Sequence, residues 1–135
     1  MLRETIVPAG YETQVEEWGL APAVRVGDTL YCSGQIGFEP DGTLPAEAEV
    51  QIANAFDHVA AVLAAAGATF ADVVELTSFH VGLIEQLGVY AEVRNRYIGA
   101  EPPAQTAIGV AELGFPGAII ELKVTAVVGC SSAGD

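Results

Sequence analysis

Residues 47–81 read EAEVQIANAFDHVAAVLAAAGATFADVVELTSFHV, and two hydrophobic periods meet inside them. Ile52, Phe56, Val59, Leu63 and Ala66 recur at steps of four, three, four and three. That spacing lines one face of an α-helix, predicted over 47–66. Glu47 and Glu49 suit the positive end of its dipole, and Gly67 is a natural stop. Residues 73–81 (VVELTSFHV) are β-branched and aromatic, which predicts a strand.

Working outward, residues 23–38 (AVRVGDTLYCSGQIGF) hold two β-rich runs hinged at Gly27-Asp28, a hairpin signal. A weaker strand precedes them near residues 4–7, and residues 39–46 (EPDGTLPA) form a loop. On the other side, residues 85–98 predict a second helix with Leu87, Tyr90, Val93, Arg94 and Tyr97 along one stripe. Glu101-Pro102-Pro103 breaks it. Residues 104–111 and 118–128 predict two strands joined through Gly114, Pro116 and Gly117. The order β-β-β-α-β-α-β-β predicts an α+β fold, a mixed sheet with two helices on one face. In the last strand, Ile120, Leu122, Val124, Ala126 and Val128 point under the helices. Ile119, Glu121, Lys123, Thr125 and Val127 point the other way. That second face is mixed in character, the kind that meets a partner subunit.

The chain has 135 residues, 51% of them apolar and 17% charged. This is the size of a single domain, read here as 1–135, with enough apolar area to fold. No apolar run approaches the roughly 18 residues of a membrane span. The first residues lack a signal-peptide pattern, so a cytoplasmic location is expected. Eighteen acidic residues against five basic ones give a net charge of −13. The basic residues are Arg3, Arg25, Arg94, Arg96 and Lys123. Binding to nucleic acid or to an anionic membrane is therefore not expected. A mean hydropathy of +0.40 in so acidic a chain points to apolar surface left for an oligomer.

Cys32 and Cys130 have no metal-ligand spacing and read as free thiols, Cys32 as a small buried hydrophobe. His58 and His80 have no nucleophile beside them at readable spacing, which favours structural, hydrogen-bonded roles. No Gly-rich phosphate loop stands between a strand and a helix. The expectation is a chain with no metal and no cofactor.

Four segments, taken together and in this order, are distinctive. They are AVRVGDTLYCSGQIGFEPDGTLP, AVLAAAGATFADVVELTSFHV, VYAEVRNRY and PPAQTAIGVAELGFPGAIIELKVTAVV. Over roughly residues 20–129 the chain resembles the reactive-intermediate deaminase family (Rid, YjgF-like), formerly called the endoribonuclease L-PSP family. The resemblance implies a chorismate-mutase-like α+β fold. It also implies a homotrimer whose sheets surround a central barrel, with clefts at the subunit boundaries. The implied activity is hydrolysis of a small enamine or imine, such as 2-aminoacrylate, to a keto acid and ammonia without a cofactor.

Carried over residue by residue, Glu121 matches the acidic residue that positions the hydrolytic water. Its competing reading is a surface or interface Glu paired with Lys123. Gln105 is the main departure. Pro103-Ala104-Gln105-Thr106 stands where the family has Pro-Ala-Arg-Ser, whose Arg binds the substrate carboxylate. Gln donates hydrogen bonds but supplies no charge, which costs about one or two decades in affinity for an α-imino acid. Arg94 stands where the family usually has Asn near the cleft. Either it supplies the missing cation from the other side, or it is a solvated helix residue paired with Glu92 or Glu101. Ser33 and Gly34 border the cleft in the family; the plainer reading is a β-bulge or turn. In Trp18-Gly19-Leu20, Leu20 replaces a family aromatic, and Trp18 either compensates or packs on the rim. Ala107 replaces a modifiable Cys. Two functions stay open: a hydrolase acting on a C–N bond other than that of the usual α-imino acid, and a small-metabolite-binding scaffold without turnover. The charge of −13 speaks against a third, ribonuclease.

Overall fold

In a computed structural model, residues 2–131 are described. Seven strands are present among them: β1 (Arg3–Ile6), β2 (Ala23–Val26), β3 (Thr29–Cys32), β4 (Gln35–Ile36), β5 (Val73–His80), β6 (Ala104–Gly109) and β7 (Ile120–Val127). Three helices accompany them: α1 (Glu12–Glu16), α2 (Ala48–Ala65) and α3 (Leu83–Tyr97). The sheet runs β1-β2-β3-β7-β5-β6, and β4 also pairs with β7. Every pairing is antiparallel except β5 with β6. That one is parallel because α3 carries the chain back across the sheet between them.

The α+β class stands, and α2 and α3 cover one face of the sheet. The predicted stripe of α2 is buried, joined by Gln51, Ala55 and Val62. It packs on Ile120, Leu122, Val124 and Ala126 of β7, as the alternation requires. Gln51 is buried at 1% exposure with its amide fully used. It donates to the carbonyls of Pro45 and Gly117 and accepts from the Ile119 N–H at 2.7 Å.

Three expectations need correction. First, α3 begins two residues early, and Leu87 is exposed where Gln86 is buried. The Gln86 amide donates to the Val81 and Ile119 carbonyls and accepts from His80, so a polar residue ties the turn into α3 to the sheet. Second, alternation along β5 sets Val74 on one face with Leu76, Ser78 and His80, but Val74 is exposed, because a register shift between Val73 and Glu75 puts Val73 in the core instead. Third, two elements went unread. β4 is only two residues long, and α1 is a five-residue helix with no buried residue. A helix that short has no stability of its own.

Gly37, just after β4, is where the sheet meets α2. A Cβ there would lie 1.8 Å from the Gln51 backbone oxygen. Gly37→Ala must push strand and helix apart, and is expected to cost about 1–3 kcal/mol. Thermal or urea unfolding checks this; an unchanged midpoint would show that the helix yields freely.

Candidate active site

The site begins with a slip in strand pairing. Tyr31 faces Thr125, whereas Ile36 faces Glu121. Five residues on one strand thus advance against four on the other, a one-residue bulge at Ser33-Gly34. Ser33 holds the bulge: its N–H donates to the Pro22 carbonyl at 2.9 Å and its hydroxyl to the Ala21 carbonyl at 2.6 Å. Gly34 is thereby laid on Glu121. A Cβ at Gly34 would be 2.0 Å from Glu121 Oε2, so only glycine leaves room for that carboxylate.

Glu121 is half-buried, and burial pushes its carboxyl above the ordinary range. No ion pair joins it to Lys123, which is exposed on the same face. It opens instead on a cavity of about 200 Å³ shared with Trp18, Leu20, Gly34, Gln35 and Phe115. Trp18 and Leu20 both line it. Trp18 is 43% exposed and packs on Phe115 at 5.2 Å and Phe38 at 6.1 Å between ring centroids.

Arg94 and Gln105 form a second group. Arg94 Nη1 donates to Gln105 Oε1 at 3.4 Å, and its Nε and Nη2 donate to Asn95 Oδ1. Its guanidinium carbon sits 5.8 Å from the centroid of the Tyr90 ring. Arg96, by contrast, pairs with Glu49 at 2.7 Å and Glu92 at 3.7 Å.

The two groups are on opposite faces of the sheet. Gln105 is in register with Leu76, whose side chain is buried under the helices, and two turns of the pleat further on a Cβ at Gly109 would touch Leu83 of α3. Glu121 is in register with Phe79 and alternates with buried Ile120 and Leu122. Within one copy, the structure brings together Glu121, Gly34 and Trp18, and separately Arg94 and Gln105. It does not bring the two sets together. All six residues of β6 are exposed, and so is Tyr31 on the Glu121 face.

Both histidines are hydrogen-bonded, as expected. His58 Nε2–H donates to the Phe38 carbonyl at 2.8 Å, leaving Nδ1 to accept from the Tyr11 hydroxyl at 2.6 Å. His80 Nδ1 donates to Gln86, and its Nε2 lies 2.7 Å from Ser78 Oγ. That contact joins two residues that alternate on one strand face. With Ser78 at 1% and His80 at 0% exposure, no substrate reaches it. Cys32 is buried, and burial pushes its thiol up to about 12, an unreactive state. Among the described residues no group of three or more His, Cys, Asp or Glu side chains is placed to hold a metal. None of the described helices is long and apolar enough to cross a membrane.

Gln14, Gln35, Phe38 and Phe115 were missed as cavity residues. Gln35 directly follows Ser33-Gly34, which was a usable signal. Phe115 sat in a Gly-Pro connector with none.

The profile of the endoribonuclease L-PSP family matches residues 16–128. The RutC family protein YjgH of Escherichia coli (strain K12) is 40% identical over 126 residues, covering 92% of this chain and 94% of that protein. A rat (Rattus norvegicus) protein named 2-iminobutanoate/2-iminopropanoate deaminase is 34% identical over 109 residues, 79% of this chain and 78% of its own length. A solved structure of a protein YJGH superposes with a TM-score of 0.86 at 39% identity, covering 95% of this chain and 98% of that one.

Proposed function

The chain belongs to the endoribonuclease L-PSP family, and from that premise we propose that it hydrolyses a small imine or enamine in a cleft between two copies of itself. The observation that carries this reading is the Glu121 carboxylate, half-buried without a cation and seated against the backbone of Gly34. A carboxylate whose proton affinity is raised by burial suits general acid–base work. It holds a water against the C=N carbon. As the water's oxygen bonds to carbon, one proton passes to Glu121 and on to the nitrogen. The resulting amino alcohol then collapses: the hydroxyl proton joins the nitrogen, the C–N bond breaks, and ammonia leaves with a carbonyl behind.

Closing the cleft takes a second copy, because the cation-bearing group is on the opposite face of the sheet. A homotrimer, as the resemblance implies, sets Arg94 of one copy against Glu121 of another and covers the exposed β6. Arg94 is half-buried over Tyr90, with Gln105 accepting from it, and so replaces the charge of the family arginine. Gln105 orients that guanidinium. The neutral Gln105 is also the one observation that favours a second reading, a binding scaffold without turnover.

The test generates 2-iminobutanoate and 2-iminopropanoate in situ and follows their loss. Wild-type protein is expected to accelerate hydrolysis. Arg94→Ala is expected to raise KM about 10- to 100-fold, the worth of one charge-assisted hydrogen bond, with a smaller change in kcat. Gln105→Arg restores binding in that background. Hydrolysis no faster than in buffer removes the deaminase reading, and an unchanged KM removes Arg94 from the cleft.

A further inference from the structure

The Glu121 cavity does not end at Trp18. Gln14, Trp18, Gln35, Ile36, Phe38 and Phe115 line both it and an adjoining groove of about 500 Å³ that runs beneath α1. One wall is aromatic: Phe115 meets Trp18 at 5.2 Å and Phe38 edge-on at 4.8 Å. The wall is held rigidly, since His58 ties the Phe38 backbone to the Tyr11 hydroxyl. At the junction of the two spaces, Gln14 and Gln35 exchange amide hydrogen bonds at 3.2 and 3.4 Å, which anchors α1 over the groove. No lysine or arginine lines either space, and Glu39 and Glu121 bring only negative charge.

These features describe a place for an uncharged, flat, apolar group. An apolar cavity of about 150 Å³ already admits a benzene ring. Ring faces and edges of Trp and Phe favour a further ring. An anionic group would lose its water with no cation to replace it.

We propose that the substrate carries an aryl substituent, which lies against Trp18 and Phe115 beneath α1 while its C–N carbon sits at Glu121. This rests on the hydrolase reading and narrows it from small aliphatic imines to aryl-substituted ones.

Trp18 is the chain's single tryptophan, so its fluorescence reports directly on the groove. Two measurements on the whole protein test the proposal. In the first, 2-phenylacetamide and acetamide are titrated against Trp18 emission. Phenylacetamide is expected to shift the emission where acetamide does not, and Phe115→Ala to weaken it by at least about tenfold. In the second, imines are generated in situ from phenylalanine and from alanine. The aryl imine is expected to have a kcat/KM at least about tenfold higher. That preference should vanish in Phe115→Ala. It should vanish also in Thr13→Phe, which fills the groove from an exposed position on α1 and leaves the core alone. Equal turnover of both imines, indifferent to these variants, overturns the aryl subsite and leaves the deaminase reading intact. Phenylacetamide binding that depends on Phe115, with neither imine hydrolysed, upholds the subsite and removes the deaminase reading.

Discussion

Glu121→Gln is expected to lower kcat for imine hydrolysis by about two to four orders of magnitude, the usual worth of a positioned acid–base group. The substitution keeps the shape of the side chain and removes its ability to take a proton from water. Its effect on stability runs the other way. Burial raises the Glu121 carboxyl above its unfolded value, so the native state binds this proton more readily than the unfolded chain does. The ionised form therefore weighs against folding once the pH exceeds that raised value, and glutamine removes the burden at neutral pH. The unfolding midpoint of Glu121→Gln should match or exceed that of the wild type at pH 7. The same sign sets the pH profile. Wild-type activity should fall on the acid side at a pH above the ordinary carboxylate range, as Glu121 takes up a proton and can no longer accept one. The residual rate of Glu121→Gln should lack that limb. A kcat close to wild type, or an acid limb that persists in the variant, would assign the proton transfers elsewhere.

Gly34→Ala is expected to fold and to lose about a hundredfold in kcat, the scale of an ångström's misplacement of a reacting group. The added Cβ would meet Glu121 at Oε2, Cδ and Cγ, at 2.0, 2.7 and 2.9 Å. What must move is the far end of a flexible side chain. Gly34 is not among the glycines with positive φ, so alanine brings no backbone strain. This separates it from Gly37, whose neighbour is the backbone of α2 and whose substitution is paid in stability. The double variant Gly34→Ala/Glu121→Gln decides the matter. If Gly34 acts only by seating the carboxylate, the pair should be no slower than Glu121→Gln alone. Additive losses would mean that the Gly34 backbone contacts the substrate itself.

Two long periodic segments, α2 and β7, are legible in the sequence. In α2 and β7 the buried sets are those that the alternation demanded, because each registers its environment through local spacing. Errors arose where a polar group or a bulge overrode the period. Gln86 is buried in place of Leu87 because its amide satisfies three backbone and side-chain partners at once. Val73 displaces Val74 because the pairing with β7 slips there. The Ser33-Gly34 stretch carried two readings, bulge and cleft border, and the geometry joins them: the bulge is what sets glycine against Glu121.

Taken by itself, the sequence determined the long helices α2 and α3, the strands β1–β3 and β5–β7, and the apolar faces of α2 and β7. These properties depend on neighbours a few residues away. Only the tertiary structure decided that Glu121 meets Gly34 and shares a cavity with Trp18, while Arg94 and Gln105 stand together on the other face. Those relations follow from β7 lying between β3 and β5, with β6 beyond them at the edge. Long-range pairing of that kind places residues that are 87 positions apart (34 to 121) in contact and keeps residues only 16 apart (105 to 121) on opposite sides of one sheet.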